Sequence, residues 1–227
     1  MALTSNEKLG ATGSASVFVR LWIAPWSNSK LDQSTMPHRK RIKHFHEPGH
    51  LHELTFSTYQ QKPLLTNDDW REKLARSIDT ANQTCRFQLV AFVFMPEHLH
   101  LLTNPLDDEP EFGKYLASIK QPFSKQVKSI LVENHSRLLK QLTVRERPGK
   151  SCFRFWQEGA GYDRNVYSKE VILHSINDIH ENPVRRGLCR NPIEWKWSSA
   201  RYDLNEPPQE QEPDFPLIHG IPTGALD

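Results

Sequence analysis

The run MPEHLHLL, residues 95–102, holds the residue types in this chain best suited to chemistry. In a β-strand, residues two apart share a face. His98 and His100 would therefore project together, while Leu99 and Leu101 point the other way, into a core. Two imidazoles about 7 Å apart at Cα can lean toward one divalent ion. A pair of partly exposed histidines on a strand face is the plainer reading of any HxH. Here the pair follows a strongly apolar run and a proline turn, which places it centrally in a sheet and puts the metal reading on an equal footing. A third ligand could come from a later helix, where His174, Asp178 and Asn182 recur every four residues and so lie on one helix face. A solvated helix edge is the other reading of that stripe. His44, His46, His50 and His52 form a rival cluster, but they span a loop at Pro48-Gly49 that leaves their geometry open.

Several basic segments could meet phosphate. Arg39, Lys40, Arg41 and Lys43 lie beside the histidine cluster, and Arg185, Arg186 and Arg190 follow the last helix. A disordered arm is the alternative for the first group. Trp195 and Trp197 flank Lys196 and could stack on bases, although core packing is the commoner use of two tryptophans. Charge along the chain is uneven. From Asp203 to Asp227 there are six acids and no Lys or Arg, so residues 1–202 carry 29 basic against 21 acidic side chains, a net charge of +8. A basic body fits a polyanion partner, and fits an ordinary solvated surface as well. No GxxxxGK[ST], GxGxxG, HExxH or GxSxG occurs, which disfavours nucleotide hydrolases, Rossmann enzymes, zincins and α/β-hydrolases.

These residues need elements to position them, and 227 residues with 37% apolar and 25% charged side chains can bury a sizeable core. No stretch approaches the ~18 consecutive apolar residues of a membrane span. Three scattered cysteines without a CxxC argue against disulfides and zinc ribbons, and for a reducing cytosol. Residues 1–35 show no sustained period and no signal-peptide order. Met36 reads as a natural start, so 1–35 is expected to be a poorly ordered extension. HLHELTFST is a first strand through Leu54 and Phe56. Thr66 or Asn67 caps a helix carrying Trp70, Leu74, Ile78 and Ala81. Phe87–Met95 reads as a central strand covered on both faces, and HLHLLT as the third strand. A long helix from about Glu111 bears Phe112, Leu116, Ile119, Phe123, Val127 and Ile130, with Lys114, Lys120, Lys125 and Lys128 on other faces. Pro122 should kink or split it. CFRFWQEG is the candidate fourth strand. Ser168 caps a last helix ending near Glu181, before Pro183, and Ile172, Ile176 and Ile179 should dock it on the sheet. The segment 204–227 is acidic and Pro-rich, a tail or strap. The order strand, helix, strand, strand, helix, strand predicts an α+β, ferredoxin-like antiparallel sheet. Its helices would lie on one face, with the other face free or covered by terminal segments.

MPEHLHLL, WQEGAGYDRNV, IHENPVRRGL and WKWSSARY, in that order and spacing, resemble the single-tyrosine transposases of the HUH endonuclease superfamily, and most nearly the REP-associated tyrosine transposases of bacteria. The resemblance covers roughly residues 36–203. It implies a ferredoxin-like fold and a substrate of single-stranded DNA, often beside a hairpin. It also implies Mg²⁺ or Mn²⁺ on His98, His100 and a third ligand four residues after the catalytic tyrosine, at Asn182. The metal would polarise the scissile phosphate, and the tyrosine would form a phosphotyrosine that stores the bond for rejoining without ATP. One position departs from the pattern: Asp178 stands where the family has its tyrosine. A carboxylate is repelled by a phosphodiester and is a poor nucleophile toward it, though it can bind metal. Tyr162 and Tyr167, just before the last helix, are the substitutes in reach.

Two functions follow. One is a DNA-nicking and rejoining enzyme. The other is a catalytically silent relative that binds hairpins as a repressor or scaffold, and residue 178 discriminates between them. An RNA-binding ferredoxin-like module would need exposed aromatics on the central strands, where the third strand has histidines. The expected setting is the bacterial cytoplasm, at the nucleoid and away from membranes, as a monomer or homodimer.

Overall fold

The structure, a computed structural model, describes residues 46–159, 161–204 and 212–226. The elements that position the histidines are β1 (Leu51–Ser57), α1 (Asp68–Cys85), β2 (Phe87–Phe94), β3 (His98–Pro105), α2 (Phe112–Glu133), α3 (Arg137–Gln141), β4 (Thr143–Arg147), β5 (Lys150–Phe153), β6 (Tyr162–Val166) and α4 (Lys169–Arg185). The main sheet is antiparallel, with spatial order β2-β3-β1-β6. Among the described residues no helix is long and apolar enough to cross a membrane.

Strand alternation sorts the side chains into two layers. Leu54 and Phe56 of β1 stand in register with Leu101 and Leu99 of β3, which in turn oppose Phe92 and Phe94 of β2. These six join Leu74 and Ile78 of α1 and Ile119, Phe123 and Val127 of α2 in one buried cluster. Helix α1 starts where the Asn67 side chain accepts a hydrogen bond from the Trp70 amide at 3.1 Å, with Asp68 and Asp69 complementing the helix dipole in its first turn. The opposite sheet face, expected to be free or covered by terminal segments, carries α4. Ile172 and Ile179 are buried there with Leu51, Val90, Val93, Leu102 and Val166.

Three expectations need correction. The apolar strand β2 is an edge strand, not a central one. It is buried because later chain covers its outer edge: the Phe94 amide donates to Trp197 O (2.8 Å), the Ser199 amide to Phe92 O (3.0 Å) and the His219 amide to Leu89 O (2.8 Å). This blunts an edge that would otherwise pair with another chain. Along the same side Ile218 is buried, and Phe215 packs on Phe92 and Trp197. Second, CFRFWQEG is not the fourth strand. Cys152 and Phe153 end the separate β4–β5 ribbon, while Phe155 and Trp156 turn inward onto Phe123 at ring distances of 4.8 and 5.4 Å. The fourth strand is the polar β6, whose sequence YDRNV suits a solvated sheet edge.

Third, neither helix proline breaks its helix. Helix α2 runs through Pro122 over 22 residues, and α4 passes Pro183 to reach Arg185. An internal proline removes one backbone bond, and in α4 that loss falls where Ile179, His180 and Pro183 are all buried. The His180 Nε2 lies 2.8 Å from Ser199 Oγ and 3.2 Å from Asp203, which ties the last turn to the chain covering β2. On α2, Lys120, read only as lying off the apolar stripe, is partly buried. Its ammonium sits 4.4 Å from the Phe56 ring centre and donates to Gly159 O at 3.2 Å.

Candidate functional site

β3 brings His98 and His100 to the face that α4 covers, with ring centres 5.0 Å apart and planes at 78°. Leu99 and Leu101 are fully buried on the other side. Each imidazole is oriented through Nδ1. The His98 Nδ1 lies 3.2 Å from Glu97 Oε1, and Glu97 is held in turn by Arg186 at 2.7 Å. The His100 Nδ1 lies 2.9 Å from Thr55 Oγ1 and 3.7 Å from Glu53 Oε1. Glu53 is fixed by Arg164 at 2.6 Å, which also donates to Ser175 Oγ on α4. With the proton on Nδ1, each ring turns an Nε2 lone pair away from its carboxylate. For His100 that lone pair faces the Asn182 amide, whose Nδ2 is 3.3 Å away.

The electrostatics favour a neutral His100 ring with charged carboxylates behind the pair. Burial lowers the pKa of His100 below the ordinary imidazole value; the Glu53 hydrogen bond opposes that shift and His98 adds to it. Burial pushes the Glu53 carboxyl up, but the His100 hydrogen bond and the Arg164 guanidinium outweigh it and hold it below the usual range. The Glu97 carboxyl is held low by its hydrogen bond with His98, against burial and with help from Arg186. A neutral imidazole whose far nitrogen hydrogen-bonds a carboxylate is the form that ligates metals.

The α4 stripe lies on one face, as its spacing requires, but its members have different partners. Asn182 meets His100. Asp178 instead joins an ion-pair chain on the helix surface, 3.1 Å from His174 and 3.0 Å from Arg185, which also donates to the Asp178 carbonyl. Among the described residues no group of three His, Cys, Asp or Glu could hold a metal; the polar group that α4 sets beside His100 is the Asn182 amide.

The tyrosines separate on geometry. Tyr162 of β6 stands opposite Thr55 of β1, which stands opposite His100 of β3. Register partners share a face, so Tyr162 projects from the His100 side of the sheet, two strands away, and is 45% exposed. Tyr167 lies outside that row, 68% exposed and stacked on His50 at 5.0 Å.

Of the described members of the rival histidine cluster, His46 and His52 meet while His50 turns away. His52 is fully buried on the opposite, α1 and α2, face, between Asp163 at 2.8 Å and His46 at 3.0 Å. His50 turns to Tyr167, and His44 lies outside the described residues. Arg185 and Arg186 are about half exposed, each with one carboxylate partner. Arg39, Lys40, Arg41 and Lys43, like the extension 1–35, lie outside the described residues. Trp197 is core: it stacks on Phe94 at 6.0 Å, and its indole donates to Asp68 at 2.6 Å. The orienting residues Glu53, Thr55 and Glu97 were missed from sequence. Glu97 adjoins the histidine pair, but Glu53 and Thr55 become neighbours of His100 only through strand pairing.

No family model matches the chain. A protein of Haemophilus influenzae that bears the name of a REP-associated tyrosine transposase is 25% identical over 125 residues. The match spans 54% of this chain and 65% of that relative, just under two thirds of its length. A solved structure of the REP-associated tyrosine transposase bound to a REP hairpin superposes with a TM-score of 0.57 at 16% identity, covering 82% of this chain and 96% of that one. The chain is therefore similar to REP-associated tyrosine transposases in sequence and in fold.

Proposed function

We propose that this chain is a transposase-like protein of the bacterial cytoplasm that binds single-stranded DNA beside a hairpin and holds a divalent cation on His98, His100 and Asn182. The observation that carries this reading is the paired orientation of the imidazoles. Glu97 on one side, and Glu53 with Thr55 on the other, take up the Nδ1 positions, so neither Nε2 is turned to a carboxylate, and the two ring centres lie 5.0 Å apart. Two imidazole nitrogens and an amide oxygen, once the Asn182 amide turns its oxygen inward, fit Mn²⁺ better than the oxygen-loving Mg²⁺. A cation bound there supplies Lewis-acid polarisation of a phosphodiester. Arg185 and Arg186 flank the site as phosphate contacts, and the basic run Arg39, Lys40, Arg41 and Lys43 has the charge to bind further phosphates. The named partner of the structural relative, a hairpin, supports the substrate class.

Strand cleavage needs a nucleophile. Asp178 is negatively charged, engaged by His174 and Arg185, and repelled by phosphate. Tyr162 is the phenol that shares the His100 row. In the enzymatic reading its Oη bonds to phosphorus, the bond from phosphorus to the leaving sugar oxygen breaks, and that oxygen takes up the phenolic proton. In a second reading, favoured by Asp178 itself, the protein binds hairpins without cutting them and acts as a repressor or scaffold.

The test is incubation of the full chain with DNA hairpins bearing single-stranded flanks, in Mn²⁺, followed by a denaturing gel and a binding titration. Binding that prefers a flanked hairpin supports the proposal; equal binding to random single strands overturns it. A covalent adduct lost in Tyr162→Phe identifies the enzyme. Hairpin binding with no adduct identifies the silent relative.

A further inference from the structure

Residues 137–154 carry six Lys or Arg and a single acid, Glu146, a net charge of +5 in 18 residues. They form α3 and the β4–β5 ribbon, which stand outside the main sheet and pair only with each other. The ribbon is exposed along most of its length, from Arg145 through Ser151. Its tip is Pro148-Gly149, with Gly149 at φ +77°. Its base is anchored, because Leu142 is fully buried and accepts a 2.7 Å bond from the Arg154 amide. Glu146 is taken up by Arg154 and Lys150. Among the described residues Arg137, Lys140, Arg145 and Arg147 make no ion pair.

One register position is unfavourable for the ribbon alone: Arg147 stands directly opposite Lys150. Like charges placed opposite each other destabilise a strand pair, and a lone two-stranded hairpin is marginal to begin with. Glu146 offsets the charge of Lys150, but Arg147 has no acidic partner among the described residues, and a local rule broken in this way marks a place where function can set the sequence.

We propose that the β4–β5 ribbon, backed by α3, grips the sugar-phosphate backbone of a nucleic-acid duplex, the stem of the hairpin whose flank lies at the histidines. A two-stranded ribbon fits the major groove of B-DNA, and arginine binds phosphate in a two-pronged fork. Proteins that hold single strands use exposed aromatic platforms. The ribbon's one aromatic, Phe153, is half-buried and packed against the core, so the duplex is the form its chemistry suits. This inference rests on the hairpin-binding reading above and assigns the stem its own subsite.

The experiment compares the full-length protein with Arg145→Gln/Arg147→Gln, with Arg137→Gln/Lys140→Gln, and with a control, Lys125→Gln/Lys128→Gln on α2. The probes are a fluorescent DNA hairpin with a stem of about ten base pairs, one turn of duplex, and the same single-stranded flank without the stem. Affinity is measured over a series of salt concentrations. Each phosphate contact contributes about 0.9 to the slope of log affinity against log salt. The ribbon variant should therefore bind the hairpin more weakly, with a slope shallower by roughly 1.8. It should bind the flank as the wild type does, and the α3 variant should shift the slope the same way. The control should match the wild type on both probes. A ribbon variant with wild-type hairpin affinity and slope, or one equally weakened on the flank, overturns the ribbon assignment while leaving the hairpin reading in place. A wild-type protein that does not distinguish the two probes overturns both.

Discussion

His100 and Asn182 are 82 positions apart in the chain, yet the amide Nδ2 lies 3.3 Å from the imidazole Nε2. Docking of α4 through Ile172 and Ile179 makes this meeting possible. If the amide completes a cation site, Asn182→Ala should weaken Mn²⁺ binding about 10–100-fold, and Asn182→Asp, by adding charge, should strengthen it. His98→Ala should abolish measurable binding while leaving the melting temperature almost unchanged, since His98 is partly exposed. Isothermal titration with Mn²⁺ checks all three. Unchanged affinity in His98→Ala would show the ligand assignment to be wrong.

The carboxylates behind the rings give a second prediction. Glu97→Gln and Glu53→Gln keep size and burial but remove the charge facing Nδ1 of each imidazole. Each should lower Mn²⁺ affinity about tenfold or more without losing the ligand. In Glu53→Gln the His100 imidazole also loses the neighbouring negative charge that raises its pKa, so its titration, followed by NMR, should move to lower pH. A purely structural role for Glu53 would change stability and leave Mn²⁺ affinity alone.

Local alternation was enough to read the histidine face, because Leu99 and Leu101 must go inward and so turn His98 and His100 outward. The same logic failed where burial has a distant source. The apolar run of β2 shows that both faces are covered, but not that Ser199 and His219 close its outer edge. Phe155 and Trp156 are as apolar as strand residues, yet they plug the core from an irregular segment, while β6 is polar because it lies at an edge. The groups that orient His100 were illegible for a related reason. Glu53 and Thr55 reach His100 only through the register of β1 on β3, which periodicity within one strand does not encode.

Lys120 supplies a pH-dependent prediction. Burial under Phe56 lowers its pKa from 10.5 to about 8. Below pH 8 the lysine is protonated in both folded and unfolded chains, and the penalty of burying its charge is fully present. Between about 8 and 10.5 the unfolded chain binds more protons than the folded one, so stability should rise with pH. The rise should be of order 1–3 kcal/mol. Denaturant melts of wild type and Lys120→Met across this range isolate the effect, because tyrosine ionisation cancels in the difference. A difference that stays flat would place the ammonium in water.

The turn that launches β6 is the most sensitive backbone position near the site. Gly161 has φ +89°, and a Cβ there would lie 2.2 Å from the Thr55 carbonyl oxygen. That oxygen belongs to β1 and cannot swing aside as a side-chain tip could. Gly161→Ala therefore meets two obstacles at once, a left-handed backbone and a clash with a paired strand, and should destabilise the fold by about 2–4 kcal/mol. Gly149→Ala is the comparison: its φ is also positive, but no atom lies within 4 Å of the added carbon, so it should lose only about 1 kcal/mol. Because Gly161 precedes Tyr162, the strain falls where β6 joins β1 and should loosen the row Tyr162–Thr55–His100. Hydrogen exchange at the β1–β6 amides should accelerate in Gly161→Ala more than at the β2–β3 amides. Equal acceleration in both ladders would mean that the turn is coupled to the whole sheet and not to this row.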